Sequence, residues 1–246
     1  MRVITCLFTE HNLWLVLLAA AMCVIGSFAT LRLGRRATAS EATPERLGWQ
    51  FLTAVCAGSS IWTTHFIAML GYQPGVPVSF DAALTVISMI IAIAGTGIGI
   101  LLSAAPLGRL ANPLGGAVFG LAIAAMHFTG MFAYRVDGLV SWDQAYITAS
   151  IILSVTLTAL AFMGVKRWTT GAMSYAPAGI LVLAIVALHF TGMAAFEVTP
   201  LAGIEHGADS AAFRAMALSI AVAGLVIVGT GMSSYLIDTR VRESSD

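Results

Sequence analysis

The chain has 246 residues, of which 59% are hydrophobic and 10% charged, with a mean hydropathy of +0.91. Soluble domains carry roughly 25% charged residues, so this composition excludes a water-exposed globule and makes lipid the solvent of most of the chain. Twelve basic and twelve acidic residues leave no net charge, which gives no case for a nucleic-acid partner and makes charge informative only through its position.

A membrane span needs about 20 mostly apolar residues. The first such run, 13–33, follows Glu10 and His11, and the basic residues Arg32, Arg35 and Arg36 come at its far end. A cleavable signal peptide has its positive charge in front, so this run reads as a retained first helix. Six more runs follow, at 48–71, 82–105, 112–133, 145–165, 175–196 and 212–236. The turns between them carry breakers: Gly71 to Pro77, Pro106 to Pro113, Gly138, Gly171, and Pro200 to Gly207. The fold expected is an all-α integral membrane domain of seven transmembrane helices. The three cysteines, Cys6, Cys23 and Cys56, do not have the paired spacing of a disulfide framework and read as packing residues.

Basic residues set the orientation. One set of connections holds Arg32, Arg35, Arg36, Arg46, Arg109, Lys166, Arg167, Arg240 and Arg242; the other holds Arg2, Arg135 and Arg214. The first set is expected in the cytoplasm, with the N-terminus outside and the C-terminus inside.

A repeat runs through the chain. His65, His127 and His189 stand 62 residues apart, and so do Phe66, Phe128 and Phe190, then Met69, Met131 and Met193, then Tyr72, Tyr134 and Phe196, then Asp81, Asp143 and Glu205. The reading is three tandem helical hairpins, at about 47–108, 109–170 and 171–232, with the first helix added in front. Each hairpin leaves and re-enters the cytoplasm, so the three are parallel repeats about an axis along the membrane normal, a pseudo-threefold arrangement.

In a helix, positions i and i+4 share a face, so each His-x-x-x-Met motif presents an imidazole and a thioether to one side. Three helices then offer three imidazoles in one layer and three thioethers about 6 Å further out. Imidazole suits copper, zinc, iron and nickel, thioether selects copper, and zinc prefers thiolate or carboxylate over thioether. The candidate ligands are His65, Met69, His127, Met131, His189 and Met193, for one or two copper ions. Asp81, Asp143 and Glu205 stand at helix starts, where a carboxylate caps the helix or accepts from a ligating His ring; capping is the preferred reading. A competing reading makes the histidines interhelical hydrogen-bond glue. His11 and His206 weigh less, and Cys56 lies about 13 Å from His65 along the helix axis.

The strings Met126-His127-Phe128-Thr129, Trp62-Thr63-Thr64-His65-Phe66-Ile67-Ala68-Met69 and His11-Asn12-Leu13-Trp14-Leu15-Val16 resemble the MHYT domain, a bacterial integral-membrane sensor module. The likeness covers nearly the whole chain. It implies a seven-helix module that binds copper near the outer face through the six His and Met residues and senses oxygen, carbon monoxide or nitric oxide. It also implies a cytoplasmic signalling partner, since such modules often precede a cyclic-di-GMP synthase or hydrolase. The chain departs from the motif where Phe replaces Tyr in all three copies, and where Thr64 and Leu188 stand in place of Met126.

Three functions compete. The first is a sensor, with no catalytic constellation and so no enzyme, whose ligand is a diatomic gas or copper. Its chain ends at Asp246 with no output domain, either as a stand-alone sensor or as a shortened chain. The second is a copper or ion transporter, against which no polar set is read at mid-depth or at the inner ends of the His-bearing helices. The third is a haem redox protein using two of the histidines. A retinal protein is excluded, because the only lysine, Lys166, lies in a connection.

Overall fold

The computed structural model describes residues 2–200 and, beyond them, 215–220, 222–224, 226, 227 and 229. A short helix α1 (Arg2–Thr9) precedes α2 (Leu13–Ala39) and α3 (Thr43–Gly71), followed by strand β1 (Val78–Phe80) and α4 (Ala82–Ser103). Then come α5 (Ala111–Ala133), β2 (Tyr134–Val136), β3 (Gly138–Trp142), α6 (Gln144–Arg167), α7 (Ala176–Ala194) and β4 (Phe196–Pro200). Among the described residues, six helices are long and apolar enough to cross a membrane, which makes this a multi-pass membrane protein. About half of the seventh expected span, 212–236, falls outside the described residues; those from 215 to 229 that are described are helical.

Two layers follow from burial. In α3, α5 and α7, 83%, 61% and 50% of the most apolar window is buried, against 22%, 33% and 28% in α2, α4 and α6. The His-bearing helices are therefore the inner ones. The outer ones turn residues such as Leu17, Leu18, Val86, Ile90, Ile152 and Leu160 outward, as a lipid-facing surface requires.

The helix ends depart from the expected spans. Helix α2 continues past its arginines to Ala39, because Leu33 and Ala37 are buried on its inner face and the charged groups reach beyond the apolar zone. Arg36 lies 5.4 Å over the Trp49 ring, and Arg35 donates to the carbonyls of Trp168 and Ser174. Helix α3 starts at Thr43, with proline in its first turn and Glu45 complementing the dipole. The connections at the opposite, strand-bearing end are paired, where the sequence suggested only turns. β1 runs antiparallel to β2 and β3 to β4, and an isolated bridge joins His11 to Tyr72.

These pairings place equivalent groups together. The N–H groups of Asn12, Asp81 and Asp143 donate to the carbonyls of Gly71, Ala133 and Ala195 at 2.8, 2.8 and 2.9 Å. Each of the three donors is also the N-cap of the next helix, accepting from that helix's first-turn N–H groups.

Small residues let the helices close. A Cβ on Gly116 of α5 would stand 2.6 Å from the Thr158 carbonyl oxygen of α6, and one on Gly115 would stand 2.5 Å from the Gly99 carbonyl oxygen of α4. Gly116→Ala is expected to lower unfolding stability by about 1–3 kcal/mol through overpacking. Gly179→Ala, with none of the described residues within 4 Å, should cost nothing measurable in the same thermal melt in detergent. Equal midpoints for the two variants would refute this account of the α5–α6 contact.

Candidate metal centre

His65 of α3, His127 of α5 and His189 of α7 meet between the inner helices near the strand-bearing end, 3%, 1% and 6% exposed. Nδ1 of His127 lies 3.2 Å from Nδ1 of His65, which lies 3.3 Å from Nδ1 of His189. One ring nitrogen from each residue falls within 4.8 Å of the others. The rings stand edge to face, with centroids 4.9, 5.4 and 5.4 Å apart. Nitrogens bound to one ion at roughly 2.0 Å stand about 3.3–3.5 Å from each other in tetrahedral or trigonal geometry. The two separations from His65 match that geometry and the remaining one lies within 4.8 Å, so the three imidazoles could hold a metal ion once His127 and His189 draw together.

The outward edges of the rings are set by small residues. A Cβ on Gly130 would lie 2.5 Å from Nε2 of His65, and one on Gly192 would lie 2.5 Å from Nε2 of His127. The glycine three residues after one histidine thus forms the seat of the preceding repeat's ring. Phe66, Phe128 and Phe190 each stand edge-on to the adjacent histidine at 4.8, 5.0 and 5.0 Å. Among the described residues, no hydrogen-bond partner meets Nε2 of His65, His127 or His189.

On the side away from the strands, the triad faces a cavity of about 10 Å³ lined by Ile61, Ile123, Ile185, Thr64, Met126 and Leu188. That is about the space of one water-sized particle. Sequence reasoning missed this floor. Its signal was present, since the three isoleucines keep the 62-residue spacing four positions before each histidine.

Met69, Met131 and Met193 are each 1% exposed, in the same buried cluster as Tyr72, Tyr134 and Phe196. None of the three lines the small cavity; Met126 is the thioether that does. Asp81 accepts from the Leu84 N–H at 3.0 Å and pairs with Arg135 at 3.2 Å, and these contacts hold its carboxyl below the usual range. Asp143 accepts from the N–H groups of Ala145 and Tyr146. Both acids therefore cap helices; Glu205 and His206 lie outside the described residues. One expectation is corrected. Gln50, Thr53, Ser59, Ser60, Thr63 and Thr64 are all buried on α3, a polar set at mid-depth that the apolar average of the run concealed. Helices α5 and α7 carry no comparable buried set.

Two larger cavities flank the centre. At the end rich in basic residues, one of about 380 Å³ is lined by residues from α2 to α7, including Arg46, Gln50, Phe162 and Lys166. At the strand-bearing end, a vestibule of about 350 Å³ is lined by Cys6, Glu10, Tyr72, Met193 and Glu197 among others. Arg2 of α1 pairs with Glu197 of β4 beside it. Burial pushes the Cys6 thiol up to about 12, so it stays protonated at neutral pH.

His11, between α1 and α2, was given little weight in the sequence, but the structure buries it at 6% exposure. Its Nδ1–H donates to the Cys6 carbonyl at 2.9 Å, and its ring centroid lies 6.2 Å from that of His189. Burial lowers its basicity below the ordinary histidine value, so the ring is neutral.

The chain matches a family of N-terminal repeats of bacterial signalling proteins, MHYT, over residues 58–116 and 120–177. It is 34% identical to an uncharacterized signaling protein of Caulobacter vibrioides, over 99% of this chain and 30% of that one. It is also 34% identical to the cyclic di-GMP phosphodiesterase NbdA of Pseudomonas aeruginosa, over 80% of this chain and 26% of the relative. With the bifunctional diguanylate cyclase/cyclic di-GMP phosphodiesterase MucR of the same organism it shares 28% over 96% of this chain and 35% of the relative. The chain thus spans about a third of the length of the curated relatives it matches. No solved structure matches it.

Proposed function

We propose that this chain, which belongs to the MHYT family of bacterial signalling proteins, is a membrane sensor module that holds copper at its histidine triad. The observation that carries the reading is the convergence of three Nδ1 atoms at 3.2 and 3.3 Å in a buried site. Three imidazoles alone would suit zinc as well; copper is favoured because the thioether of Met126 lines the triad cavity. Met69, Met131 and Met193 supply a second soft layer one helical turn further along. Asp81 and Asp143 act on the site only by fixing the starts of α4 and α6.

Held by the three imidazoles alone, a copper ion would have a coordination position free for a further ligand. The cavity of about 10 Å³ beside the rings suits a diatomic molecule entering that position far better than a macrocycle, which argues against haem. Of the three His-bearing helices only α3 carries a buried polar set, which does not make a continuous conducting line and argues against a transporter. Nitric oxide, oxygen, carbon monoxide or copper itself is then the signal. To act, it must bind two arrangements of the helices with different affinity. The three hairpins, arranged about the triad, with helix 1 and the run at 212–236 completing seven spans in the inner membrane, provide the element that shifts. With the basic end in the cytoplasm, the output passes to a cyclic-di-GMP-metabolising partner or domain, by analogy with the enzymes that relatives are named for.

The test is metal analysis of the full chain purified in detergent, by mass spectrometry and optical spectroscopy on one sample. One or two copper ions per chain and no Soret band are expected. A Soret band, or no copper after reconstitution with Cu(I), would overturn the reading.

A further inference from the structure

We propose that His11 is a fourth metal-binding imidazole, a transfer ligand through which a soft cation passes from the vestibule at the strand-bearing end to the histidine triad. The proposal rests on the triad's being a metal site and adds a residue that lies outside the His-x-x-x-Met repeats.

The first observation is positional. His11 pairs with Tyr72 as Phe80 pairs with Tyr134 and Trp142 with Phe196. The ring centroids of these pairs lie 5.1, 5.3 and 5.1 Å apart. Each of the three rings also packs on a motif phenylalanine: His11 on Phe190 at 5.6 Å, Phe80 on Phe66 at 6.0 Å, Trp142 on Phe128 at 6.0 Å. The place requires an aromatic ring and nothing polar, and a phenylalanine would fill it without leaving any buried lone pair unsatisfied.

The second observation is chemical. The backbone carbonyl of Cys6 takes the Nδ1–H of His11, which fixes the tautomer and leaves the lone pair on Nε2. That nitrogen is buried and has no hydrogen-bond partner among the described residues. An imidazole held through one nitrogen by a carbonyl, with the other presented bare, is the usual arrangement of a metal-ligating histidine. The third observation is location. His11 lies 6.2 Å from His189, centroid to centroid, and its neighbours Cys6 and Glu10 line the vestibule. Met193, four residues after His189, lines the vestibule as well. The vestibule thus offers thiol, thioether and carboxylate groups, attractive to a soft cation, one helical turn from the triad.

The transfer is a ligand exchange. A bond from the cation to Nε2 of His11 breaks as one to Nδ1 of His189 forms, and the cation's oxidation state does not change.

The test supplies Cu(I) from a chromogenic chelator to the full chain and follows chelator bleaching in a stopped flow, then measures copper bound after desalting. His11→Phe, chosen because Phe80 fills the matching place, is expected to slow uptake at least tenfold and to reach the wild-type copper content. Uptake by this variant at the wild-type rate overturns the proposal. His189→Ala, run in parallel, must lose bound copper; if it keeps it, the triad reading fails instead, so the two failures are distinct. His11→Tyr carries the same test if His11→Phe does not elute as a folded protein.

Discussion

Replacing His127 with Ala is expected to weaken copper binding at least about 100-fold, measured by competition with a Cu(I) chelator at equilibrium. The magnitude follows from comparison with milder changes: loss of a partner that merely orients a ligand costs 10–100-fold, and loss of the ligand itself should exceed that. His127 is the informative position because its Nδ1 lies 3.2 Å from that of His65 and its ring faces both other histidines. Two imidazoles would remain, together with a buried hole where the third stood. The competing account treats the rings as glue, with one Nδ1–H donating to the next Nδ1 across the helices. Such polar contacts between membrane helices average about 0.6 kcal/mol, so the glue account predicts a small loss of stability and no change in metal content. Copper affinity in His127→Ala within threefold of wild type would decide for glue. Gly179→Ala serves as the folded control, since its Cβ meets none of the described residues.

The sequence made the triad legible for one physical reason: the chain repeats its chemistry at a fixed spacing, and a repeat in an apolar background is hard to produce by accident. The inner position of α3, α5 and α7 followed from the same residues, because ionisable groups at membrane depth face protein rather than lipid. His11 was illegible for the converse reason. It stands 69 residues before Phe80, seven more than the period, so no fixed-spacing alignment places it with Phe80 and Trp142. Only the pairing of Tyr72, Tyr134 and Phe196 with their partners reveals the equivalence. The polar residues of α3 were hidden by averaging: Gln50, Thr53, Ser60 and Thr64 are diluted by Trp, Ile and Ala in the same run, and their burial depends on which neighbours α3 acquires. The continuation of α2 to Ala39 was missed because arginines normally mark the end of a span, and here Leu33 and Ala37 are buried on the same turns.

Gly130→Ala is expected to lower copper affinity by about 10–100-fold while leaving the chain folded, because it displaces a ligand without removing one. The added Cβ would stand 2.5 Å from Nε2 of His65 and 2.9 Å from its Cδ2, so the ring must move by several tenths of an ångström. It has little room to do so. Phe66 stands edge-on at 4.8 Å, and Nδ1 already lies 3.2 and 3.3 Å from the two neighbouring histidines. The cost therefore falls on the geometry of the three nitrogens, and metal sites tolerate errors of about 0.5 Å poorly. Helix propensity opposes the loss of stability, since Ala is favoured over Gly by up to about 1 kcal/mol in a helix interior. A double-mutant cycle separates the seat from a general packing defect. In a His65→Ala background the added methyl no longer meets a ligand and its nearest neighbour is Phe66 Cζ, at 3.3 Å, so Gly130→Ala should then cost no further affinity. Additive losses in that cycle would mean that Gly130 acts through the α3–α5 contact as a whole, and that the glycine does not position the ring.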